Sequence, residues 1–139
     1  EGMRIMEIGI GSGYHAAVTS RLVGDDGWVY TVERIGKLVM KARRNLSEAG
    51  IQNVTVVEGD GSIGIPQEAP YDRIYYTCAA PDVPDIIKNQ VKDGGMILAP
   101  VGPKQGTQRL MRLTREDDIF EEERLTYCMF VPLVGEKGY

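Results

Sequence analysis

The sequence is poor in the residues that build metal centres and disulfide frameworks. Its 139 residues include one histidine, His15, and two cysteines, Cys78 and Cys128, which lie far apart along the chain. The short Cys and His spacings of zinc sites are therefore absent, and two isolated cysteines are typical of a reducing compartment. We predict that the protein binds no metal ion and is cytoplasmic.

Excess positive charge and long apolar runs are lacking too. Lys and Arg number 16 against 20 Asp and Glu, which gives a formal net charge of −4. An acidic balance argues against a protein that mainly grips nucleic acid. No apolar run approaches the roughly 20 residues of a membrane-spanning helix. We therefore expect neither a nucleic-acid partner nor a membrane partner.

Glycine, in contrast, is abundant, and three of the 17 glycines alternate with other residues in the stretch Glu7–Tyr14, EIGIGSGY. The apolar residues before this stretch are typical of a buried strand, and residues 16–23 show helical spacing. A strand, a glycine loop and a helix open a nucleotide-binding βαβ unit. Dinucleotide-binding loops need glycine at position 14, where this chain has Tyr14. The loop has instead the G-x-G-x-G form of S-adenosylmethionine-dependent methyltransferases, which Glu7, two residues before the first glycine, also fits.

Two acidic residues stand where such a fold would use them. Glu33 ends the second predicted strand, Trp28–Val32, at the position where a carboxylate holds the ribose diol of a nucleotide cofactor. Asp60 follows the third predicted strand, Val54–Glu58, between two glycines, where its carboxylate can accept the exocyclic amine of adenine. A surface glutamate at position 33 and a simple turn at residues 59–61 are the alternatives.

The remaining chain completes the pattern of an α/β sheet. The further predicted elements are a helix over Ile35–Ala49, a strand over Tyr71–Thr77, a short helix from Pro84 to Val91, a turn at Asp93–Gly95, a strand over Met96–Val101, and strands over Gln108–Thr114 and Leu125–Val134 around the acidic turn Glu116–Asp118. Five strands of βα type and an antiparallel pair predict the Rossmann-like methyltransferase fold. We expect a mostly parallel seven-stranded sheet with a C-terminal antiparallel hairpin, in one domain over residues 1–139.

Six segments carry a closer resemblance, and they are Glu7–Tyr14, Val29–Arg34, Gly59–Gly61, Ala69–Ile74, Thr77–Pro81 and Phe130–Leu133. From Arg4 to its end, the chain resembles the protein-L-isoaspartate O-methyltransferase family, which methylates isoaspartyl carboxylates in damaged proteins. The first three segments recur in many methyltransferases, whereas the last three are specific to this family. The resemblance implies that the cofactor is S-adenosyl-L-methionine and that the partners are isoaspartyl proteins or peptides.

The resemblance also implies roles for particular residues. The implied cofactor contacts, with Glu7 added from the form of the loop, are Glu7, Gly9, Gly11, Ser12, Gly13, Glu33, Arg34, Asp60 and Gly61. The implied substrate contacts are Thr77, Ala79, Pro81 and Val131. We assign no catalytic residue, because a carboxylate substrate is already ionised at neutral pH and needs no general base. Cys78 is expected to fill buried space and His15 to lie on a helix surface.

Family members carry an upstream helical region with a substrate-binding motif, and this chain begins close to its first core strand. We therefore expect an N-terminally truncated domain that holds the cofactor but is nearly inactive alone. Three alternatives stay open: a methyltransferase for another substrate such as tRNA, a nicotinamide-dependent dehydrogenase, and a cofactor-binding fragment without activity of its own.

Overall fold

The computed structural model describes residues 1–139 and alternates strands with helices before it ends in a hairpin. The strands are β1 (Arg4–Ile8), β2 (Trp28–Glu33), β3 (Val54–Glu58), β4 (Tyr71–Tyr76), β5 (Val91–Val101), β6 (Gln108–Glu116) and β7 (Ile119–Cys128). The helices are α1 (Tyr14–Val23), α2 (Gly36–Glu48) and α3 (Asp85–Lys88), with 3-10 turns at Gly61–Ile63 and Pro66–Glu68.

All seven strands form one sheet in the order β3-β2-β1-β4-β5-β6-β7. The first five strands are parallel, and β6 and β7 are antiparallel to their neighbours. The chain runs outward from β1 to β3 and then returns to the other side of β1, so the strand order reverses between β1 and β4. Ligands of open α/β sheets bind beyond the carboxyl ends of the strands at such a point. The predicted architecture is confirmed.

The two faces of the sheet bury two separate cores, and β1 contributes to both. Met6 and Ile8 belong to the larger cluster, which also holds β4, β5 and α3 side chains. Ile5 points to the other face, where α1 and α2 pack. In α2 the residues Val39, Ala42 and Leu46 are buried at three- and four-residue steps, as the amphipathic pattern predicts. None of the helices combines the length and the apolar character that crossing a membrane requires.

The predicted start of β5 is wrong. Residues 93–95 were expected to form a turn and Val91 to end a helix, but Val91 is the first residue of β5. The register on β4 shifts there, since Tyr71 pairs with Val91 whereas Arg73 pairs with Met96. The residues between Val91 and Met96 have the composition of a turn but form an irregular part of the strand, as the residues of a β-bulge do.

The predicted bounds of β7 are wrong as well. The acidic turn at Glu116–Asp118 is present, with Asp117 at a φ of 54°, but the strand begins directly after it rather than at Leu125 and ends at Cys128 rather than at Val134. Residues 121–124 are charged and exposed. Because β7 is an edge strand with solvent at both faces over this part, it has no apolar alternation from which a strand could be predicted.

Candidate functional site

A crevice of about 220 Å³ opens beyond the carboxyl ends of β1, β2 and β4. Its volume lies below that of most small-molecule sites, which enclose roughly 300–1,000 Å³. The residues that line it are Gly9, Gly11, Val32, Glu33, Arg34, Ile35, Leu38, Gly61, Thr77, Cys78, Val131, Pro132, Leu133 and Val134. Seven residues predicted for the site are therefore brought together from five separate segments of the chain.

The glycine loop begins where the ends of three strands meet. The N–H of Gly9 donates to the carbonyl of Val32 at 3.0 Å, and the N–H of Thr77 donates to the carbonyl of Ile8 at 3.0 Å. The Thr77 hydroxyl donates to the carbonyls of Ile8 and Gly9. Gly9 has a φ of 92°, and a Cβ there would lie 2.7 Å from Thr77 Oγ1. Only glycine fits this position, and the hydroxyl of Thr77, a predicted substrate contact, holds the loop.

Glu33 and Arg34 form the wall of the crevice at the end of β2. Oε1 of Glu33 accepts a hydrogen bond from the N–H of Ile35 at 2.9 Å, and the second carboxylate oxygen has no protein partner. Arg34 is exposed and donates to the carbonyl of Val134 at 3.4 Å. A partly exposed carboxylate with a free oxygen can accept hydrogen bonds from the hydroxyl groups of a ligand.

Asp60, predicted to contact adenine, is not among the residues that line the crevice. Oδ1 accepts the N–H and the hydroxyl of Ser62 at 2.9 and 2.7 Å, and Oδ2 accepts the N–H of Glu136 at 2.8 Å. Burial alone would raise the pKa of Asp60, but these hydrogen bonds and the charge of Arg34 lower it below its ordinary value. In this structure Asp60 therefore anchors the C-terminal turn, while the adjacent Gly61 faces the crevice.

Three other predicted cofactor contacts are not among the residues that line the crevice. Glu7 is fully buried beneath α1, where its carboxylate accepts hydrogen bonds from Thr31 and Tyr75. The carbonyl of Ser12 accepts a hydrogen bond from the Asn45 side chain of α2 at 2.9 Å. Gly13, at a φ of 89°, precedes the first residue of α1. These residues shape the loop from outside the crevice.

The far wall of the crevice is built from two segments that are distant in sequence. The N–H of Ala79 donates to the carbonyl of Val131 at 2.8 Å, and the N–H of Leu133 donates to the carbonyl of Ala79 at 2.7 Å. Val131 faces the crevice and is exposed, whereas Ala79 is buried and supports the wall through its backbone. Pro81 is exposed and lies outside the crevice.

Sequence reasoning did not predict the apolar lining. Val32, Ile35, Leu38 and Leu133 belong to strands, helices or motifs that were predicted, but nothing in their residue types separates a crevice wall from a core. Cys78 is buried as expected, and burial, followed by the charges of Glu33 and Glu7, raises the pKa of its thiol to about 12. Such a thiol is not a nucleophile at neutral pH. His15 is exposed on α1, as expected.

The chain is similar over nearly its whole length to proteins of one family. The family model described as protein-L-isoaspartate(D-aspartate) O-methyltransferase matches residues 1–138. The protein-L-isoaspartate O-methyltransferase of Methanococcus maripaludis is 50% identical over all of this chain, which spans 65% of that relative's length.

Solved structures agree with the fold. A structure named protein-L-isoaspartate O-methyltransferase is 37% identical, has a TM-score of 0.93, and is matched over 99% of this chain and 44% of that one. A Plasmodium falciparum protein described by the same name, in complex with S-adenosyl-L-homocysteine, has a TM-score of 0.79 at 23% identity, over 96% of this chain and 66% of that one. At that identity the second likeness concerns the fold alone.

The first prediction compares two glycines of the loop. Gly9→Ala should destabilise the protein by more than the roughly 1–2 kcal/mol that a left-handed conformation costs, because the new Cβ would collide with Thr77. Gly11→Ala is the matched control, since Gly11 also has a positive φ, 55°, but nothing lies within 4 Å of its Cβ position. Urea unfolding of both variants measures the difference. Equal losses would mean that the contact with Thr77 does not constrain Gly9.

The second prediction concerns the buried carboxyl group of Glu7. Burial raises its pKa from 4.5 to about 7, against the lowering effect of the hydrogen bonds from Tyr75 and Thr31. The stabilising effect of the protonated group is therefore complete below about pH 4.5 and is lost as the pH rises through 7. Glu7→Gln removes this loss, so its stability relative to the wild type should improve by about 3 kcal/mol between pH 4.5 and 8. Urea unfolding over this pH range tests it, and a constant difference would contradict it.

Proposed function

Because this chain belongs to the protein-L-isoaspartate(D-aspartate) O-methyltransferase family, we propose that it transfers a methyl group from S-adenosyl-L-methionine to the carboxylate of L-isoaspartyl residues in damaged proteins. The chain spans about 65% of the length of the curated relatives that it matches, so the proposal concerns the activity in which this domain takes part. Residues 1–139 are proposed as its cofactor-binding domain.

One observation supports this proposal most strongly. The glycine loop at Gly9 and Gly11, which is common to many methyltransferases, shares one crevice with Thr77 and Val131 from two of the three segments specific to this family. A crevice that only bound a nucleotide would not need the segments that carry Thr77 and Val131. Their meeting in one crevice supports the proposal of a cofactor site with a substrate wall beside it.

The residues of the crevice fit S-adenosylmethionine. Val32, Leu38 and Leu133 offer an apolar surface for adenine, and the free oxygen of Glu33 can accept hydrogen bonds from ribose. The loop from Glu7 to Tyr14 has no lysine or arginine, which suits a cofactor without a pyrophosphate. Once bound, the cofactor supplies a methyl group on a positively charged sulfur.

The chain itself has to orient two reactants and exclude water. An isoaspartyl carboxylate is ionised at neutral pH and can attack without a general base, and the only histidine lies exposed on α1. Holding the reacting atoms in line can lower the activation barrier by roughly 7–11 kcal/mol. We assign the orientation of the cofactor to the loop at Gly9 and Gly11, and the exclusion of water to the wall at Val131–Val134.

The proposal includes the setting of the reaction. Isoaspartyl proteins or peptides are the proposed partners, and nucleic acid is not among them. A cytoplasmic location is proposed as well, which the two free cysteines support, since unpaired thiols are usual in reducing compartments.

The third prediction is the direct test of this function. The protein should bind S-adenosylmethionine but not NAD in calorimetry. Residues 1–139 alone are expected to be nearly inactive, and any labelled methyl groups that they transfer should go to an isoaspartyl peptide and not to its aspartyl twin. Binding is measured first, so that a lack of transfer by residues 1–139 is distinguished from a lack of cofactor. Tighter binding of NAD, or equal methylation of the two peptides, would contradict the proposal.

The fourth prediction assigns a role to Glu33. Glu33→Ala should weaken cofactor binding about ten- to a hundredfold, because hydrogen bonds to a charged acceptor contribute roughly 1.5–3 kcal/mol. Glu58→Ala is the matched control, since Glu58 ends the neighbouring strand in register with Glu33 but is exposed outside the crevice. Calorimetry on both folded variants decides the matter. Equal affinities would show that Glu33 does not hold the ribose.

A further inference from the structure

Glu7 is a buried carboxyl group without a partner of opposite charge. Its side chain is fully buried, Oε1 accepts the Thr31 hydroxyl at 2.7 Å, and Oε2 accepts the Tyr75 hydroxyl at 2.6 Å. It forms no ion pair, and the one charged group that acts on it is Glu33, which has the same sign. Two neutral hydroxyl donors compensate an ionised carboxylate only in part, because burial removes its hydration.

None of the ionisable groups around Glu7 supplies a positive charge next to its carboxyl group. Tyr75 faces it from β4 and Glu33 acts on it from β2. The ionisable residues of α1, which packs above it, are Tyr14, His15 and Arg21, and all of them are exposed to solvent. The ionisable residues of α2, which packs on the same face, are exposed as well, and they are Lys37, Lys41, Arg43, Arg44 and Glu48. No basic group is among the causes of the shifted pKa of Glu7.

A chain of hydroxyl groups connects Glu7 to the surface. The Tyr75 hydroxyl lies 3.0 Å from Oγ1 of Thr19 in α1, and either of these atoms can be the donor. When Glu7 is ionised, Thr19 donates to Tyr75 and Tyr75 donates to Glu7. When Glu7 is protonated, its O–H can donate to Tyr75, which then donates to Thr19. Because Thr19 is partly exposed, a proton can leave Glu7 by reversing this chain.

The charge of Glu7 also reaches the crevice. Glu7 lies two residues before Gly9, and Gly9 lines the crevice together with Cys78. The negative charge of Glu7 is one of the causes of the raised pKa of the Cys78 thiol. A positive charge in the crevice would lower the pKa of Glu7, since an opposite charge nearby favours the ionised form of a carboxyl group.

We propose that Glu7 is the buried counter-charge of the crevice: it releases its proton through Tyr75 and Thr19 when a ligand with a net positive charge binds, and keeps it when the ligand is neutral. This inference rests on the proposed function, whose two cofactor forms make the distinction. S-adenosylmethionine carries one more positive charge than S-adenosylhomocysteine, from which it differs by a methyl group. The preference for methyl donor over product then depends on pH.

The fifth prediction tests this linkage by calorimetry of the 139-residue chain. At pH 7, in buffers with different ionisation enthalpies, binding of S-adenosylmethionine should release about half a proton, and binding of S-adenosylhomocysteine clearly less. The ratio of the two affinities should shift toward S-adenosylmethionine by about tenfold between pH 6 and pH 8, since the binding-competent ionised fraction grows by that factor. Glu7→Gln should abolish both the difference in proton release and the pH dependence of the ratio.

A second variant keeps the test decisive if Glu7→Gln does not fold. Tyr75→Phe removes the donor that lowers the pKa of Glu7, so the midpoint of the affinity ratio should move to higher pH. Equal proton release with both ligands, a difference that survives in Glu7→Gln, or an unmoved midpoint in Tyr75→Phe would overturn the inference alone. Failure of the wild type to bind either ligand would overturn the proposed cofactor and this inference together.

Discussion

The loop after β1 has to pass between the ends of β2 and β4 with no side chain at Gly9. At this point the backbone of Gly9 bonds to Val32 on one side, while Thr77 bonds to Ile8 on the other. The positive φ of Gly9 turns the chain away from the strand direction, and Gly9 lines the crevice that opens beyond the carboxyl ends of the strands. The positions of the loop and of the start of the Thr77–Pro81 segment both depend on this close approach, because each is held by the same few hydrogen bonds.

The C-terminal residues complete the crevice from the other side. Residues 131–133 pair with Ala79 by backbone hydrogen bonds, and the turn after them is held by the carboxylate of Asp60 and the hydroxyl of Ser62. A side chain at Gly135 would collide with Asp60, so this contact also constrains the sequence. One continuous hydrogen-bonded wall thus closes the crevice on the side away from the glycine loop.

The strands that could be predicted are those rich in β-branched residues. β2 and β3 are short runs of this kind, and their bounds were predicted to within a residue, because β-branched side chains favour a pleated strand whether it lies inside the sheet, as β2 does, or at its edge, as β3 does. β7 was placed several residues too late, since the exposed charged run Glu121–Arg124 has no such composition. The start of β5 was missed for a related reason, because an irregular register tolerates glycines that otherwise indicate a turn.

The sequence by itself determined the class of the fold and the backbone of the cofactor loop, because glycine spacing and apolar runs are local consequences of chain geometry. It also placed Glu33 at the end of β2, where the structure has it beside the crevice, since the end of that strand follows directly from the end of an apolar run. The tertiary structure alone decided where the other acids point. Glu7 lies beneath α1 and Asp60 bonds to residue 136, and both outcomes depend on partners 68 and 76 positions away along the chain. Hydrogen-bond partners at such separations are chosen by packing, which no local pattern encodes.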